Sequence, residues 1–209
     1  MGFFPFFIDI ADKKCVVAGG GKVASGKIKK LMMFGPEITV ISPEISSDIP
    51  VDEKIKIIKR KFRDDDIEDA FMVICATDDR DLNAHISDLC RKKNIPVNTV
   101  DIPELCSFYF PALVRNETLT VGISTEGKSP LAASYLRKRI SEITDDSFSE
   151  TVEILGRYRE YVRQNFSEES QRKEVYSRIF DLCMSSGNDL PDDEEIKKLI
   201  DSLRCEYDN

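Results

Sequence analysis

The sequence is poor in the residues that most often bind a metal ion. It contains one histidine, His85, and none of its six cysteines stand at the C-x-x-C spacing of a zinc site. His85 falls in a segment with the pattern of a surface helix, so we do not expect it to be a ligand. We therefore predict no metal site, and we expect reduced core cysteines, as in a cytosolic protein.

An excess of positive charge and a long apolar run are also lacking. The chain has 30 Lys and Arg against 38 Asp and Glu, a net charge of −8, whereas general nucleic-acid binding requires a basic face. The apolar run at 3–8 is short, contains Pro5, has no basic leader and is followed by Asp9, so it resembles neither a signal peptide nor a membrane span. We expect this run to form a strand or a packing arm. We predict no nucleic-acid partner, no membrane partner and a cytoplasmic location.

A glycine cluster follows the first apolar, β-branched run of the chain, residues 15–18. Gly19, Gly21 and Ala24 match the spacing G-x-G-x-x-G/A, which seats a pyrophosphate at a helix N-terminus. A helical pattern at 23–34 then stops at Gly35-Pro36, and a second strand-like run follows at 38–41. The motif alone also fits a glycine-rich turn in another α/β protein, but this strand–helix–strand context favours a dinucleotide site.

A second motif overlaps the first. Residues 21–27 read G-x-x-x-x-G-K, the start of the phosphate-binding loop of nucleotide triphosphatases. That loop requires Ser or Thr next as a magnesium ligand, and the next residue is Ile28, which has no oxygen. The motif therefore argues only weakly for a nucleotide triphosphatase.

Strands and helices alternate as far as about residue 100. Strand-like runs occur at 55–58, 71–76 and 96–100, and a helical pattern between 82 and 90 separates the last two. The run at 71–76 is continuously apolar, as in a strand covered on both faces. This order predicts a Rossmann-type, doubly wound parallel sheet.

The pattern changes after residue 101. Two strand-like runs, 108–114 and 119–124, predict a hairpin, and Ser129 is a good N-cap for a helix over 130–143. The remainder has helical spacing, with a loop at 185–188 and a last helix at 191–203. We predict three parts: an NAD-binding Rossmann domain at 1–106, a strand–strand–helix dimerisation segment at 107–145 and a helical C-terminal domain at 146–209.

In a doubly wound sheet, ligands bind beyond the carboxyl ends of the strands, where the winding reverses. Three segments are expected there: the glycine loop 19–23, the segment 77–79 and the segment 98–101. Each has a structural alternative, since 77–79 is also suited to capping the next helix and Asp101 is also typical of an exposed turn.

The end of the second strand bears on the choice of cofactor. It reads Ser42-Pro43-Glu44, without the Asp or Glu directly at the strand end that holds the ribose of NAD in typical sites. Ser42 can still bond a ribose, and no arginine stands adjacent to receive the 2′-phosphate of NADP. We therefore predict NAD as the cofactor.

Five segments in order suggest a family: 6–10 (FFIDI), 16–24 (VVAGGGKVA), 76–79 (ATDD), 97–101 (VNTVD) and 124–130 (STEGKSP). Together they make the chain resemble the precorrin-2 dehydrogenases, the dehydrogenase/ferrochelatase modules of siroheme synthases. The resemblance covers residues 1 to about 145, and the tail resembles the family only in length and character. A departure from the family pattern is Thr125, where many members have Ser.

The resemblance implies a homodimer that oxidises precorrin-2 to sirohydrochlorin with NAD as hydride acceptor. Asp101 matches the catalytic aspartate, which removes the proton that hydride transfer leaves behind. Some members also insert ferrous iron as a second substrate, and we expect such insertion to be secondary here. A competing hypothesis is an NAD-binding regulatory or sensor protein without turnover, which need not keep Asp101 or the basic segment beyond 114.

The expected ligand contacts follow from the motifs and the resemblance together. The cofactor-binding residues are predicted to be Gly19, Gly21, Lys22, Val23, Ser42, Pro43, Glu44, Thr77, Asp78 and Asn98. The carboxylate-rich tetrapyrrole is expected to contact Arg115, Ser124, Thr125, Lys128, Ser129 and Arg137. Without other evidence, Lys128 and Arg137 equally fit a solvated face.

Overall fold

The computed structural model describes residues 4–187 and 189–207. The chain divides into two compact units, one ending at Phe110 and the other beginning at Pro111. In this division the predicted dimerisation segment from 111 on falls into the same unit as the helical tail. The three-part division remains a prediction.

The first unit contains a five-stranded sheet in which every strand is parallel to its neighbours. The strand order β3-β2-β1-β4-β5 reverses its winding at β1, as in a Rossmann fold. The predicted doubly wound fold is confirmed. The strands are β1 (Lys14–Ala18), β2 (Glu37–Ile41), β3 (Ile55–Ile58), β4 (Met72–Cys75) and β5 (Val97–Thr99).

Helices cover both faces of this sheet. The unit contains the helices α1 (Lys22–Met32) and α2 (Arg80–Lys92). A short 3-10 helix, Asp64–Ile67, lies between β3 and β4, and another, Pro103–Leu105, follows β5. Alternate strand residues point to opposite faces, so Val17 packs with α1 in one core cluster. Its neighbour Val16 packs with α2 in the other. This two-sided burial explains why the strands read as apolar runs.

Helix α1 forms where the sequence pattern predicts it. Ala24, Ile28 and Leu31 recur at helical spacing and are all buried. The helix ends at Met32, two residues earlier than expected, and Gly35 then takes a φ of +69°. Pro36 prevents further helix.

The expectation for the N-terminal apolar run is wrong for residues 4–8, which form no strand. Phe4, Phe6 and Phe7 are 83%, 71% and 79% exposed, so they do not pack as an arm on their own chain. Pro5 lacks the N–H group that a strand ladder needs, and a turn follows in which the N–H of Ala11 donates to Asp9 Oδ1 at 3.0 Å. Phe3 lies outside the described residues.

The second unit begins with the predicted hairpin, and its strands are shorter than expected. Strands β6 (Ala112–Arg115) and β7 (Thr120–Ile123) pair antiparallel. The predicted start of the first strand at 108 is wrong, because the carbonyl of Phe108 accepts a hydrogen bond from Asn98 Nδ2 at 2.9 Å in the first unit. Helix α3 (Pro130–Ile143) has the predicted bounds, and Ser129 Oγ accepts from the N–H of Ala132 at 3.1 Å.

Four further helices follow in the described part of the second unit. They are α4 (Asp146–Arg157), α5 (Arg159–Asn165), α6 (Glu169–Ser186) and α7 (Asp193–Tyr207). Their core includes the buried side chains of Val162, Ile179 and Ile200. The last helix starts two residues later than predicted, and Asn188 of the predicted loop lies outside the described residues. In the described part of the chain, no helix is long and apolar enough to span a membrane.

Candidate functional site

The first unit assembles its predicted site residues along one edge of the sheet. Because the five strands are parallel, the segments that follow β1, β2, β4 and β5 all leave from the carboxyl edge. Strand β1 lies between β2 and β4, so its glycine loop occupies the point where the winding reverses. The predicted residues brought to this edge are Gly19, Gly21, Lys22, Val23, Ser42, Pro43, Glu44, Thr77, Asp78, Asn98 and Asp101.

Gly19 is required by the turn itself. Its φ is +115°, and a Cβ at this position would lie 2.1 Å from the carbonyl oxygen of Ala76. The N–H of Gly19 donates to the carbonyl of Ile41 at 2.9 Å. The first glycine of the motif therefore holds the end of β1 against both neighbouring strands.

Gly20 is a residue that the motif analysis missed. A Cβ here would lie 2.3 Å from the carbonyl oxygen of Glu44, and the carbonyl of Gly20 accepts from the N–H of Ser46 at 2.8 Å. The glycine loop thus packs directly on the segment after β2. The sequence signal was the middle one of three consecutive glycines, at a position where the spacing G-x-G-x-x-G/A allows any residue.

Gly21 faces open space. A Cβ at this position would meet no atom within 4 Å, and Gly21 caps α1 without a side-chain hydrogen bond. The first turn of α1 also carries no acidic residue. Its unsatisfied N–H groups and the positive end of the helix dipole, at Lys22 and Val23, are suited to an anion. The loop therefore fits the pyrophosphate of a dinucleotide.

The same geometry removes the nucleotide triphosphatase alternative. Helix α1 starts at Lys22, so Gly26 and Lys27 lie within the helix and do not form a loop around a phosphate. Ile28, at the place of the magnesium-binding hydroxyl, is fully buried. The overlapping motif is a coincidence of spacing.

The segment after β2 presents polar groups at the edge. The N–H of Ser42 donates to the carbonyl of Ile58 at 3.2 Å, which fixes the backbone, while Pro43 and Glu44 are exposed. No arginine occurs between residues 42 and 48. The carboxylate of Glu44 adds negative charge where NADP would bring a phosphate.

The segment after β4 mainly caps α2. Asp79 Oδ1 accepts from the N–H groups of Asp81 and Leu82, both at 3.0 Å. Thr77 Oγ1 donates to Asn83 Oδ1 at 2.7 Å, and Asn83 Nδ2 returns a bond to the carbonyl of Thr77 at 2.9 Å. Thr77 is thus held within the fold, whereas Asp78 is exposed. Their contact with the cofactor remains a prediction.

Asn98 carries an unsatisfied acceptor at the end of β5. Its side chain is buried, and Nδ2 donates to the carbonyl of Phe108 at 2.9 Å. Among the described residues, Oδ1 has no hydrogen-bond partner. A buried acceptor of this kind is costly unless a ligand supplies a donor. The carboxamide N–H of a nicotinamide is a donor of the required type.

Asp101 follows β5 by two residues and is exposed. Its φ is +59°, in the left-handed region that Asp and Asn tolerate better than most residues. The N–H of Val100, just before it, donates to the carbonyl of Cys75 at 3.0 Å, which ties the start of this turn to β4. The carboxylate therefore stands on a backbone conformation that the end of the sheet fixes.

Lys27 also belongs to this edge, and in the sequence it stood out only as the lysine of the nucleotide triphosphatase motif. Its Nζ lies 4.2 Å from the centroid of the Phe110 ring, and the charge of Asp101 acts on it. The available signal was its position beside Ala24 and Ile28 on the apolar stripe of α1, where a lysine is unusual.

The second unit separates its predicted substrate residues into distinct places. Arg115 pairs with Thr120 at the turn end of the hairpin, whereas Ser124 follows the other end of β7, four residues beyond Thr120 and about 13 Å away along the strand. Arg137 is exposed on α3. Only Ser124, Thr125, Lys128 and Ser129 share one loop.

Most hydroxyls of that loop bond locally. Thr125 Oγ1 accepts from the N–H of Ser129 at 3.1 Å and donates to the carbonyl of Ser129 at 3.0 Å. Ser124 Oγ accepts from the N–H of Glu126 at 3.1 Å. Lys128 is exposed and pairs with Glu126 at 3.3 Å. These side chains shape the loop before α3, and their contact with a substrate remains a prediction.

Comparison with known proteins matches the first unit to a cofactor-binding family. Residues 6–112 match a family described as "Putative NAD(P)-binding". The chain belongs to this NAD(P)-binding family. The match spans the glycine loop, Asn98 and Asp101, and it agrees with the open, uncapped start of α1.

The similarity to curated relatives extends beyond this domain. The chain is 36% identical over 186 residues to a siroheme synthase of Nitrosospira multiformis, covering 86% of this chain and 39% of that protein. It is 35% identical over 197 residues to a siroheme synthase of Thioalkalivibrio sulfidiphilus, covering 90% of this chain and 40% of that protein. The chain thus spans about 40% of the length of these relatives.

A solved structure shares the fold. The structure of SirC, precorrin-2 dehydrogenase, superposes with a TM-score of 0.71 at 21% sequence identity. The match covers 97% of this chain and 100% of that one. The likeness extends over the parallel sheet, the strand pair and the C-terminal helices, so this chain shares the fold of that structure.

The described cysteines are thiols, not disulfides, and four of the six are buried in the core clusters. In the part of the chain that the structure describes, no group of three or more His, Cys, Asp and Glu side chains is placed to hold a metal ion. His85 pairs with Asp64 at 2.8 Å on the surface. Burial raises the pKa of Cys15 and of Cys75 to about 12, so both thiols stay protonated in the core.

Proposed function

We propose that this chain oxidises precorrin-2 to sirohydrochlorin with NAD as the hydride acceptor. The observation that carries the proposal is the carboxyl edge of the sheet. It combines a loop suited to a pyrophosphate with a carboxylate, Asp101, at the end of β5. The similarity to siroheme synthases over most of the chain supports the choice of a tetrapyrrole substrate.

Different residues of the carboxyl edge are assigned to cofactor binding and to proton transfer. The N–H groups at the start of α1 would hold the pyrophosphate, and Asn98 Oδ1 would accept from the carboxamide of the nicotinamide. Bound NAD supplies the hydride acceptor. Asp101 accepts the proton that the substrate loses with the hydride and releases it to water. The balance is one two-electron oxidation of the substrate, one NADH formed and one proton released.

A homodimer belongs to the same proposal. Helix α3 packs on β6 and β7, yet its side chains Leu131, Tyr135 and Ile143 are exposed. A two-stranded hairpin with one helix encloses little core, so an apolar helix face of this kind gains stability from a second copy. Ferrous iron as a second substrate and the cytoplasmic location are also proposed, the latter supported by the free cysteines of the described residues.

Anaerobic incubation of the purified chain with precorrin-2 and NAD tests the proposal. We expect NADH and the absorbance of sirohydrochlorin to appear together in equal amounts. Ferrous iron added afterwards then reports whether the product is metallated faster than in buffer. If the chain binds NAD but leaves precorrin-2 unchanged, it is a regulatory or sensor protein and the proposed reaction is wrong.

A further inference from the structure

Lys27 occupies an unusual position on α1. Ala24, Ile28 and Leu31 form the buried stripe of this helix, and Lys27 lies beside them at helical spacing. The side chain is half-buried, whereas Lys29 on the same helix is exposed. The apolar stem of Lys27 therefore lies along the core while its ammonium reaches the carboxyl edge of the sheet.

The ammonium of Lys27 has an aromatic neighbour and no ionic partner. Its Nζ lies 4.2 Å from the centroid of the Phe110 ring, a cation–π contact. Within residues 4–187 and 189–207, no hydrogen bond or salt bridge to Lys27 Nζ is formed. By contrast, Lys54 pairs with Asp12 at 2.7 Å and Lys92 pairs with Asp88 at 2.6 Å.

Burial lowers the pKa of Lys27, and the positive charge of Lys30 lowers it further. Cys106, once ionised, and Asp101 act in the opposite direction and raise it. A half-buried cation in this setting has lost part of its hydration without a compensating ion pair. An anionic ligand would offset that loss.

Cys106 is not the missing partner. Its Sγ accepts from the N–H of Thr99 at 3.2 Å and donates to the carbonyl of Thr99 at 3.1 Å. Burial raises the pKa of the Cys106 thiol, so it stays neutral. Asp101 is close enough to act on Lys27 electrostatically, yet the two form no salt bridge. The charge beside Asp101 is therefore available to an incoming anion.

We propose that Lys27 binds a carboxylate of the tetrapyrrole substrate beside Asp101, an assignment that rests on the proposed function. A substrate rich in carboxylates is repelled by the negative charge of Asp101, and Lys27 offsets that repulsion at the place where the base must act. An ammonium–carboxylate bond also orients the reacting carbon toward Asp101. Phe110 offers an apolar surface next to it for the macrocycle.

Equilibrium binding of sirohydrochlorin, followed by tetrapyrrole absorbance without NAD, tests this role directly. We expect Lys27→Gln to weaken binding about 10- to 100-fold, the range for loss of one charge-assisted hydrogen bond. Lys27→Arg should keep most of the affinity. The exposed neighbour Lys29→Gln is the matched control and should bind like the wild type.

The affinity for NAD, measured by calorimetry on the same proteins, separates two anion sites. Substrate binding through Lys27 leaves the NAD affinity of Lys27→Gln unchanged and raises KM for precorrin-2 more than it lowers kcat. An equal loss of NAD affinity would place Lys27 at the cofactor and overturn the proposal. Unchanged sirohydrochlorin binding would overturn it as well. If Lys27→Gln does not fold, Lys27→Met, which keeps an apolar stem, provides the same comparison.

The pH dependence gives a second readout. Sirohydrochlorin affinity should fall as the pH rises and Lys27 loses its proton, at a lower pH than for an ordinary lysine with a pKa of 10.5. Lys27→Arg should stay charged and flatten this fall. The groups that face Lys27 are Lys30, Asp101, Cys106 and Phe110.

A wild-type chain that neither binds sirohydrochlorin nor oxidises precorrin-2 overturns the proposed function and this inference together. An active wild type together with a Lys27→Gln variant that binds sirohydrochlorin normally overturns this inference alone.

Discussion

The backbone of Gly19 lies directly against the carbonyl group of Ala76 at the end of β4. A Cβ on Gly19 would stand 2.1 Å from the Ala76 oxygen, and its φ is +115°. Both facts make glycine a requirement of the fold at this position. We expect Gly19→Ala to lower the free energy of unfolding by at least about 3 kcal/mol, as measured by chemical denaturation. A change within about 0.5 kcal/mol would show that the loop relaxes without cost.

Gly21→Ala is the matched variant two residues along the chain. Its Cβ would meet no protein atom within 4 Å, so the unfolding free energy should change by less than about 0.5 kcal/mol. In the proposed cofactor site the added methyl group would stand where the pyrophosphate approaches, and we expect NAD to bind at least about tenfold more weakly. Calorimetric titration measures this. Wild-type affinity in Gly21→Ala would place the pyrophosphate elsewhere.

The sequence predicted the fold correctly wherever buried residues recur at a regular spacing along the chain. The buried stripe of α1 and the apolar run of β4 correspond to a helix covered on one side and a strand covered on both. The hairpin start was misplaced because its first predicted residues belong to the other unit, where Asn98 Nδ2 binds the carbonyl of Phe108. Such a contact joins residues ten positions apart and leaves no periodic trace.

The candidate site was only partly predictable for the same reason. The motif identified Gly19 and Gly21, but their different roles depend on which atoms lie next to each one in the folded chain. Thr77 was expected to contact the cofactor, and its hydrogen bonds to Asn83 show that it also has a structural role. The proposed role of Lys27 rests on its contact with Phe110, 83 positions later, and no spacing rule connects them.

The preference for NAD over NADP is a separate prediction. The exposed carboxylate of Glu44 follows β2, and no arginine lies nearby in sequence to receive a 2′-phosphate. We expect NAD to bind at least about tenfold more tightly than NADP, and Glu44→Gln to narrow the difference. Calorimetric titration of both cofactors against both proteins measures it. A tighter NADP complex in the wild type would reject the prediction.

The exposed apolar face of α3 predicts a homodimer. Light scattering should give about twice 23.8 kDa at micromolar concentration. Leu131→Asp places a charge on this face, at a side chain exposed in the single chain, and should produce a folded monomer. Ser141→Asp, an exposed position elsewhere on α3, is the control and should remain dimeric. A wild-type monomer would contradict the prediction and weaken the similarity argument for the reaction.

Asp66 should make stability depend on pH under acid conditions. Its carboxylate accepts two bonds from Arg60, at 2.8 and 2.6 Å, and one from the N–H of Arg63 at 2.7 Å. The Arg60 guanidinium holds the pKa of Asp66 below its ordinary value of 3.8. The carboxylate therefore stabilises the fold fully above pH 3.8, and this contribution is lost as the pH falls through the lowered pKa.

Asp66→Asn is expected to cost about 1–2 kcal/mol of unfolding free energy at neutral pH, and the difference from wild type should shrink below pH 3.8. Denaturant titrations across this pH range measure both effects. The exposed neighbour Asp65→Asn should match the wild type throughout. Equal stability of the Asp66 and Asp65 variants at neutral pH would show that the Arg60 pair contributes nothing.

Asp101→Asn is the decisive test of the chemistry. Asn tolerates the left-handed φ of +59° nearly as well as Asp, so the variant keeps the backbone and removes only the basic oxygen. If Asp101 accepts the substrate proton, turnover of precorrin-2 should fall about 10²–10⁴-fold, the range for a general base. NAD affinity should stay the same, because the proposed pyrophosphate site lies at the start of α1, and the unfolding temperature should change little. Anaerobic turnover, calorimetry and thermal unfolding of the same preparation separate the possibilities. Near-normal turnover would remove Asp101 from the mechanism, and a joint loss of turnover and folding would make its role structural.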